Sequence, residues 1–374
     1  MKPIYFDNAA TTPVLESSLN KLKGWAKIYG NPSSQHQFGQ NAREIVEAAR
    51  YTVAKTLNVD DDSIIFTSSG TESNTLALHG VFLPYITKNE PAHLLISAIE
   101  HASVRQTATY LSTCGIDVEE IPVTSSGIVD TSQLELMIKP HTKLVSIQTI
   151  NNEIGTLQPI NEIGTICQAK NILFHTDAVQ AFLKIDLDMK QLPIDLLSMS
   201  AHKCYAPKGT GALFIKDKTK ILPQLKGGPQ EIGMRAGTQN TLGIRCFQES
   251  IETLSKSKDE FKTHIRELDT YFLQKLSKVK QPHHLLGGDS RAPGFLNISF
   301  PHILSEDMVM HLDINNIAIS AGSACSTGSL EPSHVLKAIN LPKEIIHSAV
   351  RISLGIKNTK EEIDLFFSVL SKFL

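Results

Sequence analysis

Lys203 and Asp177 are the residues of this 374-residue chain whose settings point most directly to chemistry. Lys203 ends the run Leu196-Leu197-Ser198-Met199-Ser200-Ala201-His202-Lys203, so an apolar segment of strand character closes on a hydroxyl, an imidazole and an amine. Asp177 closes the apolar run Ile172-Leu173-Phe174-His175-Thr176-Asp177 in the same way. An amine condenses with an aldehyde to give an imine. A carboxylate beside a pyridine nitrogen keeps it protonated, because an opposite charge favours the charged form. A Schiff-base lysine and an aspartate partner for a ring nitrogen are what pyridoxal 5'-phosphate (PLP) requires of a protein. Taken singly, a lysine is usually a surface residue and an aspartate usually a turn or cap.

The other parts of such a cofactor also find candidates. Thr67-Ser68-Ser69-Gly70-Thr71-Glu72-Ser73-Asn74 follows a predicted strand and opens a predicted helix. Gly70 allows close backbone approach, Thr71 adds a hydroxyl, and a helix N-terminus attracts phosphate. Alone, the stretch is an N-cap signal; with neither G-K-[ST] nor G-x-G-x-x-G, it is not a nucleotide loop. His101, in Ile99-Glu100-His101-Ala102-Ser103, follows another strand and could stack on a ring and move protons, although most of the 14 histidines must be structural. Arg351, in Ala349-Val350-Arg351-Ile352-Ser353-Leu354, carries a fork suited to an amino-acid carboxylate, but a surface arginine on an edge strand would look the same. Cys325 lies in a run of small residues, Ala321-Gly322-Ser323-Ala324-Cys325-Ser326-Thr327-Gly328-Ser329. A nucleophile on a segment so costly to order could swing into a site and out again.

The elements that must position these residues are those of an α/β chain. Strand-like runs at 63–67, 93–97, 144–149, 172–175, 196–200 and 211–215 have helical segments between several of them, as parallel crossovers require. Ala42, Ile45, Val46, Ala49, Val53 and Leu57 share one helical face. After about residue 250 comes an amphipathic helix marked by Phe261, Ile265, Leu268, Phe272 and Leu276, then strands at 295–300, 318–320 and 350–354. Thr359-Lys360-Glu361-Glu362 reads as a capping box opening a final helix. The expected division is a large lobe over 15–255 and a small α+β lobe formed by 1–14 and 256–374.

Composition narrows the classes. Lys+Arg 36 against Asp+Glu 38 gives a formal charge of -2 and, with no dense basic run, offers no case for nucleic acid. No apolar stretch is long enough to span a membrane, and residues 1–7 resemble neither a secretory nor a transit signal, so a cytosolic protein is expected. Five cysteines (114, 167, 204, 246 and 325) contain no C-x-x-C pair, which argues against a zinc cage or a disulfide framework.

Taken together the motifs resemble the class V aminotransferase-fold PLP enzymes, and among them the cysteine desulfurases of the longer-loop group I branch. The resemblance runs nearly end to end, through residues 5–13, 30–34, 66–74, 100–101, 151–155, 175–180, 200–209, 233–238 and 321–336. It implies an aspartate aminotransferase-like fold with a mostly parallel central sheet sandwiched by helices. It makes Lys203 the Schiff-base lysine and Asp177 the ring-nitrogen partner, with Gln180 donating to the phenolic oxygen and His101 stacking on the ring. Gly70, Thr71, Ser200 and His202 would hold the phosphate, with Thr238 reaching it from a neighbouring subunit of a homodimer with composite active sites. Asn152, which also contacts the cofactor, and Arg351 would hold the substrate carboxylate. The implied reaction removes sulfur from L-cysteine, giving L-alanine and a persulfide on Cys325. A sulfur-acceptor protein such as an iron–sulfur scaffold takes the sulfur, for iron–sulfur clusters, thio-cofactors or tRNA thiolation. No metal is implied for the chain itself, though Cys325 could share an iron–sulfur cluster with a scaffold partner. Selenocysteine lyase, another class V aminotransferase or lyase, and an inactive PLP-binding or scaffold-binding protein are the rivals. Two positions depart from the pattern: Pro229 where glycine is expected and Ile232 where arginine is. Because proline fixes φ and lacks an N–H, the loop carrying Thr238 could sit differently. The resemblance also implies a tail by which housekeeping members dock an iron–sulfur scaffold; none follows the final predicted helix here, so a different or weaker partner contact is the expectation.

Overall fold

Seven strands, most of them buried on both faces, form the larger sheet in a computed structural model that describes residues 2–322 and 332–374. Their order across the sheet is Ile64–Thr67, Gly211–Ile215, Leu196–Ser200, Leu173–Asp177, Thr142–Ser146, His93–Ser97 and Asp117–Ile121. Gly211–Ile215 runs antiparallel to both neighbours, and the other six point one way.

Side chains alternate along each strand between two hydrophobic layers. Ile64, Phe66, Leu95, Val145, Phe174, Leu197 and Met199 pack on one face with Val46, Val53, Ile163 and Phe247. Ile65, Leu94, Ile96, Leu144, Leu196 and Leu213 pack on the other with Leu76, Val81, Phe82, Val104 and Leu111. Helices Gln37–Leu57, Ile160–Ala169 and Thr241–Lys256 therefore cover the first face, and Gly70–Lys88 and Ala102–Thr113 the second. Burial on both faces explains why these strands read as unbroken apolar runs. Asp117–Ile121, absent from the expected strands, is the edge strand; Asp117, Glu119 and Glu120 keep it partly exposed and erase the apolar signal. The expected strand at 144–149 is regular only over Thr142–Ser146, but the N–H groups of Ile147 and Thr149 still donate to the carbonyls of His175 and Asp177.

A second, antiparallel sheet orders Ser320–Ala321, Ala349–Ser353, Phe295–Ser299 and His284–Leu286. Its core joins Leu296, Ile298, Val350 and Ile352 to helices Lys258–Leu276, Ser305–Ile314 and Lys360–Phe373. Thr359 and Glu362 form the reciprocal capping box that opens the last of these. The expected strand at 318–320 is two short ones. Ile317–Ala318 pairs in parallel with Ile4–Tyr5, and Ser320–Ala321 pairs with the strand carrying Arg351. The N-terminal segment is thus tied to the second sheet before it crosses to the cleft at Asp7 to Ala10. Among the described residues no helix is long and apolar enough to cross a membrane.

Candidate active site

Because six strands run the same way, their C-terminal ends lie along one edge of the large sheet, where open α/β folds bind ligands. Thr67 leads to Gly70, Ser97 to His101, Ser146 to Asn152, Leu173–Asp177 ends at Asp177, and Leu196–Ser200 runs through Ser200 to Lys203. Gly70, Thr71, His101, Asn152, Asp177, Gln180, Ser200, His202 and Lys203 line a single cleft together with Arg351 from the second sheet. Two expected site residues do not figure among these. Thr238 is exposed and not part of this chain's cleft, and Cys325 lies outside the described residues.

Asp177 is 6% exposed. Its Oδ1 accepts from the Val179 N–H at 2.9 Å and its Oδ2 from Asn74 Nδ2 at 2.7 Å, which orients the carboxylate. Asn74 is one helical turn beyond Gly70 and also donates to Ser103 Oγ at 2.8 Å. Ser103 Oγ lies 2.8 Å from His101 Nδ1, and the Ser103 N–H donates to the same nitrogen at 3.1 Å. Since Nδ1 accepts that N–H, a neutral His101 carries its proton on Nε2. Asn74 and Ser103 had no expected role, although both fall within or beside stretches that carry the sequence signal. Lys203 Nζ is 2.7 Å from the Ala10 carbonyl and also contacts that of Ala9.

The loops are held by side chains bonding backbone. Asn151 Oδ1 accepts from the N–H groups of Glu153 and Ile154, and its Nδ2 donates to the Ile99 carbonyl at 3.0 Å, which links the Asn152 turn to the His101 turn. Gly155 closes the turn with φ 71°, and a Cβ there would lie 2.4 Å from that of Phe295. Beneath it, burial pushes the Glu100 carboxyl up to about 8, and Glu100 accepts from Ser97 Oγ and the Gln148 N–H.

The cleft suits a phosphorylated ring. Ser200 Oγ is buried with no hydrogen-bond partner among the described residues. A Cβ at Gly70 would stand 2.6 Å from Val179 and 3.3 Å from Ser200, so glycine keeps space open at the start of helix Gly70–Lys88. The first N–H groups of that helix lack intrahelical acceptors and favour an anion. His202 bonds Thr11 Oγ1 at 3.1 Å; burial, then the neighbouring lysines, lower it to about 4. The donor set therefore fits PLP: hydroxyls and N–H groups for phosphate, a carboxylate for the ring nitrogen, an amine for the aldehyde.

At the other end Arg351, 1% exposed, donates through Nη1 to the Asn152 carbonyl at 3.0 Å and through Nη2 to Asp7 Oδ1 at 2.7 Å. Its Nε is buried without an acceptor among the described residues, which leaves the fork a donor for a carboxylate. Burial pushes the Cys167 and Cys204 thiols up to about 12, so neither is a nucleophile near neutrality.

An amine, a buried carboxylate and a glycine- and hydroxyl-lined cradle at the strand ends of such a sheet are the donor set of a PLP enzyme of the aminotransferase type. The chain belongs to the aminotransferase class-V family, whose model it matches over residues 4–366. Its full-length relatives place it among that family's PLP-dependent cysteine desulfurases. It is 41% identical over 375 residues to "Cysteine desulfurase IscS" of Dictyoglomus turgidum, an alignment covering 100% of this chain and 95% of the relative. Among solved structures a NifS-like protein superposes with a TM-score of 0.92 at 35% identity, covering 100% of both chains. SspA in complex with cysteine superposes with a TM-score of 0.84 at 34% identity, covering 95% of this chain and 100% of that one.

Proposed function

We propose that the chain removes the sulfur of L-cysteine, releases L-alanine, and leaves the sulfur as a persulfide on Cys325 for an acceptor protein such as an iron–sulfur scaffold. The observation that carries the reading is the convergence of Lys203, Asp177, His101 and Arg351 on one cleft from four separate segments. Bound there, PLP supplies an electrophilic carbon and a protonated ring that takes up electron density from the substrate's Cα.

The chain's own residues divide the remaining work. Arg351 and Asn152 hold the substrate carboxylate, which fixes the amino group toward Lys203. Lys203 Nζ receives and returns the Cα proton. His101 takes the substrate's thiol proton. Asp177 keeps the ring nitrogen charged; Gly70, Thr71, Ser200 and His202 grip the phosphate; Gln180 donates to the phenolic oxygen. The Cys325 thiolate attacks the substrate sulfur, a new S–S bond forms as the Cβ–S bond breaks, and that electron pair is matched by a proton at Cβ, giving alanine.

A homodimer completes the site in this reading. Thr238 is exposed, and Tyr29 and Phe38, 76% and 57% exposed, pack against each other at a tilt of 34° with ring centroids 5.6 Å apart, which supports a covered face. Of the two departures, Ile232 falls in a turn of unusual backbone beside Glu231. Glu231 and Ile232 both take left-handed φ (47° and 58°), and Glu231 is pinned by Arg50 at 2.8 Å and by the Phe66 N–H at 2.7 Å. Cys325→Ala tests the reaction. The purified variant should keep the visible absorption of bound PLP and lose cysteine-dependent persulfide and alanine. Undiminished alanine formation would remove Cys325 from the sulfur relay.

A further inference from the structure

Gln180 lines the cleft but also bonds a residue that does not. Its Oε1 accepts from Lys184 Nζ at 3.0 Å, while its Nε2 donates to the Ala9 carbonyl at 2.8 Å. Each partner can play only one part: an ammonium only donates and a peptide carbonyl only accepts. The amide orientation is therefore set by chemistry, oxygen toward lysine and nitrogen toward Ala9. Nε2 carries two hydrogens. Ala9 takes one, and Gln180, 4% exposed, lines the cleft beside Asp177 and Lys203.

We infer that Lys184 is a positioning residue, whose ammonium locks the Gln180 amide so that the second Nε2 hydrogen faces the ring of the bound cofactor. The inference rests on the proposed role of Gln180 as donor to the phenolic oxygen and goes one residue further out. Lys184 lines a different cavity, of about 290 Å³, between Leu157, Ile265, Arg266 and Phe295, and so acts only through Gln180. Ala9 lines both spaces and separates them.

The lysine is held rather than merely tolerated. Its ammonium lies 4.9 Å from the Phe295 ring centroid. Burial lowers it to about 8, with Cys204 opposing and Arg351 adding to the fall. A charge kept in so unfavourable a place needs a fixed acceptor, and among the described residues Gln180 Oε1 serves as one. Without Lys184 the amide keeps only its bond to Ala9, whose carbonyl Lys203 also contacts. Rotation about the last side-chain bond would then turn the donor away from the ring.

The test is the pH titration of the visible band of the PLP-loaded protein. A donor to the phenolic oxygen draws negative charge from it, weakens its hold on the neighbouring imine proton, and lowers the midpoint. Lys184→Met should raise that midpoint by about 0.5–1 pH unit, the scale of one lost hydrogen bond. Lys184→Arg, which keeps an obligate donor, should hold the wild-type midpoint; Lys184→Ala replaces Met if that variant does not accumulate. Gln180→Ala should shift the midpoint as Lys184→Met does, and the double variant should add nothing more. A shift in Gln180→Ala with none in Lys184→Met, or additive shifts, overturns the positioning role and leaves the site reading intact. No shift in either removes Gln180 from the cofactor, and with it the basis of the inference.

Discussion

At the end of the cleft proposed to take ring and phosphate, Asp177, Ser200, His202 and Lys203 lie on or just past the ends of two adjacent, hydrogen-bonded strands. At the end proposed to take the substrate carboxylate, Arg351 is held by Asp7, 344 positions away, by the Asn152 carbonyl, and by Ser320 from a neighbouring strand of the second sheet. The first end is placed chiefly by the large sheet, with Thr11 and the Ala9 and Ala10 carbonyls of the N-terminal segment meeting His202 and Lys203. The second exists only when the N-terminal segment, the second sheet and the Asn152 turn are all docked. Binding of the cofactor and binding of the substrate should accordingly be separable by substitution.

The widest separation is expected from Lys203→Ala. It should remove the PLP-dependent visible absorption and lower cysteine turnover by at least about 10³-fold, the scale of losing a positioned proton-transfer group. Its denaturation midpoint should move far less than its activity, because the carbonyls of Ala9 and Ala10 that Lys203 Nζ contacts can be served by other donors. Turnover within tenfold of wild type would detach chemistry from the large-sheet end altogether.

Arg351→Ala should do the converse. The visible absorption should persist while KM for cysteine rises by about 10–150-fold, equivalent to the roughly 1.5–3 kcal/mol of a charge-assisted hydrogen bond. Asp7→Asn sharpens the point, since it removes only the counter-charge. A smaller rise in KM with a lower unfolding free energy is expected, because the pair is largely buried, with side-chain exposures of 2% and 15%. An unchanged KM in Arg351→Ala would mean that the second sheet does not contribute to substrate binding.

The same contrast explains what was legible in the sequence. Side chains such as Asp177 and Lys203 close apolar runs, so periodicity alone gave their place at a sheet edge. Arg351 was readable only as a residue on a strand, since nothing local records a partner 344 positions away. Asn74, Ser103 and Thr11 escaped a role for a related reason: they act on another side chain rather than on a ligand, and an asparagine inside a helix has no periodic signature. Lys184 was hidden most fully, because the sequence Ala181-Phe182-Leu183-Lys184 shows a lysine after an apolar run without showing that its ammonium turns inward. The edge strand Asp117–Ile121 was missed because solvent on one side lets acids occupy it. Antiparallel Gly211–Ile215 could not be told from a parallel strand, because burial on both faces gives either the same composition.

The finest test of the large-sheet end is the protonation of His202, which faces Thr11 and is lowered to about 4 chiefly by burial. Unfolded, the imidazole titrates near its ordinary value of about 6.5. Between those values the unfolded chain binds a proton that the folded chain does not, so folding stability falls as pH drops through the window and is fully present above it. With a discount for the side chain's partial contact with solvent, the loss should be about 1–2 kcal/mol. His202→Gln keeps a polar group for Thr11 but cannot charge. The difference in unfolding free energy between wild type and His202→Gln should therefore be flat above pH 7 and shift by that amount, against wild type, between pH 6.5 and 4. A difference that stays constant across the window would mean that His202 takes up its proton as readily folded as unfolded. The phosphate end would then be open to water, and the contrast in construction between the two ends of the cleft would lose its basis.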